Sequence, residues 1–194
     1  MENGAKPMTD IQQRYSSILS VREENGQTII SGLAVPYYDG SPGTEYELSP
    51  GYYERFQPGA FKDLNDVECN IHHDRNKIIG STPDTLRLRE TARGLEYDVI
   101  LDESTYSKDA KSLVASRKLK GSSIGFVPTK LEQKRDQDKN IVWVRQATLD
   151  HIALVSRPAY KATDAYLREL QANTARELTA LREARLEQIL KSIK

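Results

Sequence analysis

The sequence predicts a mainly β domain with helices, an α+β fold, followed by a long amphipathic helix at the C-terminus. Three observations carry that expectation. Short runs of alternating apolar and polar residues recur between turn-forming residues from Tyr15 to Val155, the period of half-buried strands. The stretch Ser107 to Lys118 alone changes to helical spacing inside that region. From about Thr163 to Lys194 the chain is rich in Ala, Leu, Glu, Arg, Lys and Gln and has no Gly or Pro, as a continuous helix requires.

Residues 1 to 15 are polar and broken by Pro7, so they read as a flexible lead-in. Ser17–Arg22 and Gln27–Val35 flank Asn25-Gly26, a hairpin signal because both residues tolerate the positive φ of a tight turn. Tyr38 to Gly51 reads as a loop, followed by Tyr52–Phe56 and a short helical turn through Leu64. The tyrosines Tyr37, Tyr38, Tyr46, Tyr52 and Tyr53 either line a peptide-binding rim or cap the core. Val67 to His73 alternates as the end of one strand, and Ile78–Thr82 starts another. Thr85–Glu90 and Leu95–Leu101 form a second hairpin around Arg93-Gly94.

In the internal helix Ala110, Leu113 and Val114 share a face, Ser104 or Thr105 caps the start, and Gly121 follows the end. Ser123–Leu131, Ile141–Arg145 and Ala147–Val155 are strand-like, with the charged run Lys134–Lys139 as a solvated hairpin tip. Leu167, Leu170, Leu178, Leu181, Leu186, Ile189, Leu190 and Ile193 then mark one apolar stripe, suited to a partner, to a loose coiled coil or to the chain's own sheet. The expected organisation is a flexible segment (1–15), one β domain (16–160) and a helical extension (161–194).

Charge and composition exclude several classes. With 28 basic and 28 acidic residues the net charge is zero, so no nucleic-acid or membrane-surface partner is expected. One cysteine, Cys69, leaves no internal disulfide and no cysteine-based metal framework, and reads as a small core residue. No apolar run reaches the ~20 residues of a membrane span, and the N-terminus lacks a signal-peptide core, so the chain reads as cytoplasmic and soluble.

The three histidines fall at His72-His73 and His151, and the pair Ser122-Ser123 lies between them. A serine hydroxyl becomes a nucleophile when a base removes its proton and a third group orients that base. Two histidines and a serine supply those parts. Zinc binding by His72, His73 and His151 is the competing use, opposed by parity: adjacent residues of a regular strand point to opposite faces. No cofactor or metal is expected.

Five motifs in order carry more information than any of them alone. Phe56-Gln57-Pro58-Gly59-Ala60-Phe61, His73-Asp74 with Ile79-Gly80, Arg93-Gly94-Leu95, Gly121-Ser122-Ser123-Ile124-Gly125-Phe126, and Leu149–Val155 with Arg157-Pro158-Ala159 resemble the prohead proteases of tailed bacteriophages over roughly residues 30 to 165. The resemblance implies a serine endopeptidase related to herpesvirus assemblin, with a mainly antiparallel β-barrel of the herpesvirus-protease type surrounded by helices. It implies action in the host cytoplasm, inside the procapsid, on scaffold protein, on the major capsid protein and on the protease itself. By position in the motifs, Ser123 is the nucleophile and His73 the base. Relatives carry Glu where this chain has His151; a histidine there gives a Ser-His-His set, with Asp150 as the alternative third member. The same analogy places oxyanion donors near Ser156 and Arg157. A homodimer or higher oligomer is a further expectation, and a noncatalytic scaffold-binding protein that keeps the protease-like barrel is the alternative.

Overall fold

The structure is a computed structural model that describes residues 12–16, 19–41 and 43–156; of residues 12–16 it describes the backbone. These form, in chain order, β1 (Gln12–Ser16), β2 (Leu19–Glu24), β3 (Gln27–Pro36), β4 (Glu45–Ser49), β5 (Tyr52–Phe56), β6 (Glu68–Ile71), β7 (Asp74–Ser81), β8 (Leu86–Glu90), β9 (Gly94–Leu101), α1 (Thr105–Ala115), β10 (Gly121–Asp136) and β11 (Lys139–Val155).

Two hairpins build the smaller sheet. Asn25 and Gly26, both at positive φ, turn β2 into β3, and β9 lies between β3 and β8, so all four strands are antiparallel in the order β2-β3-β9-β8. The outer strands carry Arg22, Glu23 and Glu24 on one edge and Arg87, Arg89 and Glu90 on the other, all exposed. Charged edges end a sheet because a further strand would have to desolvate them.

The larger, seven-stranded sheet is organised by β11, whose 17 residues exceed the length of every other strand in it. Along one flank it pairs antiparallel with β10 throughout; along the other its first part pairs parallel with β5 and its last part parallel with β6. A single apolar cluster draws on both sheets, including Ile30, Leu95 and Val99 from the smaller and Phe56, Ile124, Phe126 and Ile152 from the larger.

This corrects the expected antiparallel barrel surrounded by helices. The described residues form two separate sheets with open edges at β1, β4 and β7 in the larger and at β2 and β8 in the smaller, with parallel pairs in the larger one. The barrel is not closed. Alternation identifies strands but not their partners, and the charged outer strands stop the sheets short of closure. Among the described residues α1 is the sole α-helix, and the long C-terminal helix expected at 161–194 lies outside them. The segment through Leu64 is non-helical, with Phe61 bridged to Ala147.

The helix α1 begins where the capping pattern places it, since the Ser104 side chain accepts from the Ser107 amide. It ends earlier than Gly121. Arg117 takes positive φ, and the Arg117 and Lys118 amides donate to the Val114 and Leu113 carbonyls, a Schellman ending with arginine in the position glycine usually holds. Gln12–Ser16, expected within the lead-in, forms β1 on the free side of β10, with Tyr15 opposite Ser123. Of the two readings of the tyrosines, Tyr37 follows the second, being buried in the core, and Tyr38 lies beneath the Arg55 guanidinium at 3.8 Å and edge-on to Trp143.

Candidate active site

The β10–β11 ladder sorts the serine pair between two faces. Ser123 stands opposite Ala153 and Gly125 opposite His151, whereas Ile124 stands opposite Ile152. Directly opposed residues share a face and alternate residues along a strand repeat it. Ile124, Ile152 and Leu154 therefore face the core with Cys69 and Ile71 of β6, and Ser123, Ala153 and His151 face the other way. Asn70, opposite Ala153, continues that second row. Ser122 turns inward and shares a hydrogen bond with Tyr97 Oη at 2.8 Å. Cys69 is fully buried, and burial pushes its thiol up out of the reactive range.

Ser123 is fully buried, and its hydroxyl has no hydrogen-bond partner among the described residues. An unmade buried hydrogen bond costs about 1–3 kcal/mol, so such a group in a native fold calls for an explanation. The Asn70 amide on the same row is likewise buried and unpartnered among the described residues.

His72 and His73 are not in a strand. They are the two central residues of the β6–β7 hairpin, with φ of 56° and 60°, flanked by the pair Ile71 and Asp74. Positive φ at both positions is the signature of a type I′ turn, where Asn-Gly is preferred. Two histidines there cost roughly 1 kcal/mol or more each in backbone strain, and strain of that kind gathers at functional sites. His72 is exposed, and its amide donates to the Leu154 carbonyl at 3.0 Å, which ties the turn to β11.

That turn delivers the His73 ring to His151. His73 Nδ1 and His151 Nε2 are 2.6 Å apart, with the rings edge-on at 79° and their centroids separated by 4.9 Å. His151 is buried, and its ring occupies the space above Gly125: a Cβ there would lie 2.6 Å from Nδ1 and 3.0 Å from Nε2. Gly125 keeps its backbone outside the left-handed region, so glycine is required by space alone. Ser123 is the diagonal cross-strand neighbour of His151, a separation of roughly 7–8 Å that long side chains span.

Asp150 comes to the other side of His151. The ladder pairs Gly125 with His151 but Phe126 with Leu149, which leaves Asp150 as the extra residue of a β-bulge. In a regular strand Asp150 would point away from His151; the bulge re-aims it, and Asp150 Oδ2 lies 2.6 Å from His151 Nδ1. Arg75 Nη2 donates to the same Oδ2 at 2.6 Å. His151 and Asp150, expected as alternatives, stand in series.

Burial, reinforced by the positive charges of His151 and His72 when protonated, pulls the His73 imidazole down to about 4. It is therefore neutral at neutral pH. For Asp150, burial works toward a higher value but is outweighed by the hydrogen bonds from His151 and Arg75 and by the Arg75 charge, so its carboxyl lies below the ordinary range.

Of the expected oxyanion positions, Ser156 is exposed just past β11, three residues beyond the partner of Ser123, and Arg157 lies outside the described residues. Among the described residues no three His, Cys, Asp or Glu side chains cluster as metal ligands, and no helix is long and apolar enough to cross a membrane. Sequence reasoning did not assign roles to Gly125 and Arg75. The first was visible as a motif glycine without its reason, and the second carries no local signal because its partner is 75 residues away.

Residues 17–177 match the family model described as Caudovirus prohead serine protease. No curated protein and no solved structure matches the chain.

Proposed function

The chain belongs to the caudovirus prohead serine protease family, and from that premise we propose that it is the serine endopeptidase that cleaves scaffold protein, capsid protein and itself inside the procapsid, with Ser123 as nucleophile and His73 as base. The single observation that carries the assignment of residues is the 2.6 Å contact of His73 with His151 on the face that bears the buried Ser123 hydroxyl.

In this mechanism Ser123 Oγ attacks the scissile carbonyl carbon and its proton passes to His73. His73 holds that proton and gives it to the departing amine, leaving an acyl-enzyme on Ser123. Water then attacks the acyl carbon, with His73 again taking and returning a proton. His151 fixes the imidazole of His73 throughout. Backbone amides near Ser156 and Arg157 receive the oxyanion; losing one such donor typically costs about 10² to 10³ in rate.

The function is tested by incubating the protein with the capsid and scaffold proteins of its own phage and mapping new termini by mass spectrometry. Discrete termini that appear with the wild type support it. Intact partners, with the protein folded and assembled among them, would leave a scaffold-binding role instead.

The depressed His73 value sets the acid limb of activity. A base whose pKa is lowered stays unprotonated to lower pH, so kcat/KM falls near pH 4 rather than near the 6.5 of an unperturbed histidine. Burial sets this first, with smaller contributions from His151 on β11 and His72 in the same turn, while Asp74 is engaged by Lys77 and Asn76. Folding follows the same sign: the unfolded chain binds the proton first, so this contribution to stability is complete above 6.5 and is lost as pH falls toward 4. A pH profile of peptide cleavage checks the limb, and a limb centred at 6.5 would contradict the buried site.

His72 takes no part in the proton transfers. His72→Asn replaces a strained residue by one that favours positive φ, so thermal unfolding should show a gain of roughly 0.5–1 kcal/mol with cleavage retained.

A further inference from the structure

Asp150 is the unpaired residue of the β10–β11 bulge, and a bulge beside a reacting group places a side chain where a regular strand cannot. We infer that Asp150, held by Arg75, is a positioning residue that fixes His151 as the tautomer protonated at Nδ1, so that the only basic lone pair of the two imidazoles lies on His73 Nε2. This deepens the reading of Ser123 and His73 as nucleophile and base and rests on it.

Hydrogen-bond inventory carries the inference. An ionised carboxylate only accepts, and a neutral imidazole has one donor and one acceptor. Asp150 Oδ2 lies 2.6 Å from His151 Nδ1 and accepts from Arg75 at the same time, so His151 Nδ1 must carry the hydrogen and donate. His151 Nε2 is then an acceptor. His73 Nδ1, 2.6 Å from it, must donate in turn. What remains on His73 is the unprotonated Nε2.

The Asp150 carboxyl is held ionised by its bonds from His151 and Arg75. The opposite tautomer of His151 would set an Nε2–H against a protonated His73 Nδ1, or would force His73 to spend its lone pair on His151. A carboxylate behind His151 also makes its Nε2 a better acceptor, as carboxylates do behind metal-bound histidines. In that way Asp150 supports the His73 cation at second hand. No proton moves along the row; His73 alone takes it from Ser123 and returns it.

Arg75 contributes from outside. Its side chain is 58% exposed against 29% for Asp150, so its ion pair is screened and its effect smaller. Its Nη2 donates to the same Oδ2 that faces His151 Nδ1. The residue that positions the base is therefore itself positioned by a surface cation.

The test combines imidazole ¹⁵N NMR on the resting, full-length protein with the rate at which a fluorophosphonate probe labels Ser123. Expected are an Nδ1-protonated His151 and an Nδ1-protonated His73 in the wild type. In Asp150→Asn the amide turns its oxygen to Arg75 and its NH₂ to His151, so His151 moves to the Nε2-protonated form and labelling slows about 10²- to 10⁴-fold. Arg75→Gln, on an exposed side chain, slows labelling up to about fivefold with the His151 tautomer mixed. A wild-type His151 bare at Nδ1, or labelling of Asp150→Asn within threefold of the wild type, would overturn the inference. A wild-type protein with the expected tautomers that never labels would uphold the tautomer assignment and overturn the reading of Ser123 instead.

Discussion

Ser123→Ala removes cleavage by roughly 10⁴- to 10⁶-fold, the scale on which triad enzymes lose turnover without their nucleophile, and leaves the fold at least as stable as the wild type. The two halves of that result belong together. The Ser123 hydroxyl is fully buried with no hydrogen-bond partner among the described residues, so replacing it by a methyl hydrogen removes a polar group that the native state desolvates without compensation. An ordinary structural serine behaves differently: Ser122 shares a bond with Tyr97 Oη, and Ser122→Ala would strand that phenol in the core. Cleavage of procapsid proteins and thermal unfolding, measured side by side on Ser123→Ala, check both. A large loss of stability with the loss of activity would mark Ser123 as a packing residue.

Gly125→Ala should damage both rate and stability although it touches no reacting atom. The added methyl falls on the His151 ring, 2.6 Å from Nδ1 and 3.0 Å from Nε2, and the ring is closed in by His73 on one edge and Asp150 on the other. Yielding to the methyl therefore breaks or stretches one of these two contacts. Displacement of the base by about 1 Å costs on the order of 10²-fold in rate, and overpacking costs about 1–3 kcal/mol in stability. Single-turnover cleavage should show the fall in kcat with little change in KM. Wild-type kcat in a folded Gly125→Ala protein would mean that His151 does not hold the base.

The sequence made much of this site legible, through local signals. Asn25-Gly26 announces its hairpin because the turn demands residues that accept positive φ, and the Ser104 cap marks the helix start. Ser123 was picked out from Ser122 by its place in the motif, and parity sets the two on opposite faces because β10 is regular at that point. His73 is different. Its turn has neither Asn nor Gly, so His72-His73 reads as the continuation of a strand, and only the motif His-Asp picks it out. The backbone reaches the same contact by paying strain at both turn positions.

Asp150 was hidden for a related reason. A bulge inserts one residue into an otherwise alternating run, and nothing in Leu149-Asp150-His151-Ile152 shows which residue is unpaired until β10 lies beside it. Parity therefore set Asp150 and His151 on opposite faces, whereas the bulge puts one carboxylate oxygen at the edge of the imidazole. The fold class failed at the same level. The strands were visible one by one, but the parallel pairing of β11 with β5 and β6 joins segments about 85 residues apart, a distance at which alternation carries no information about partners. Two open sheets rather than a closed barrel follow from those pairings and from the charged outer strands.

The central claim is that Ser123 is the nucleophile activated by His73, and covalent capture tests it most directly. The protein is treated with a fluorophosphonate probe, digested, and the modified residue is located by mass spectrometry. A single adduct on Ser123, unchanged in Ser122→Ala and suppressed in His73→Ala, is the predicted result; an adduct on another residue, or equal labelling of Ser123 without His73, would contradict it.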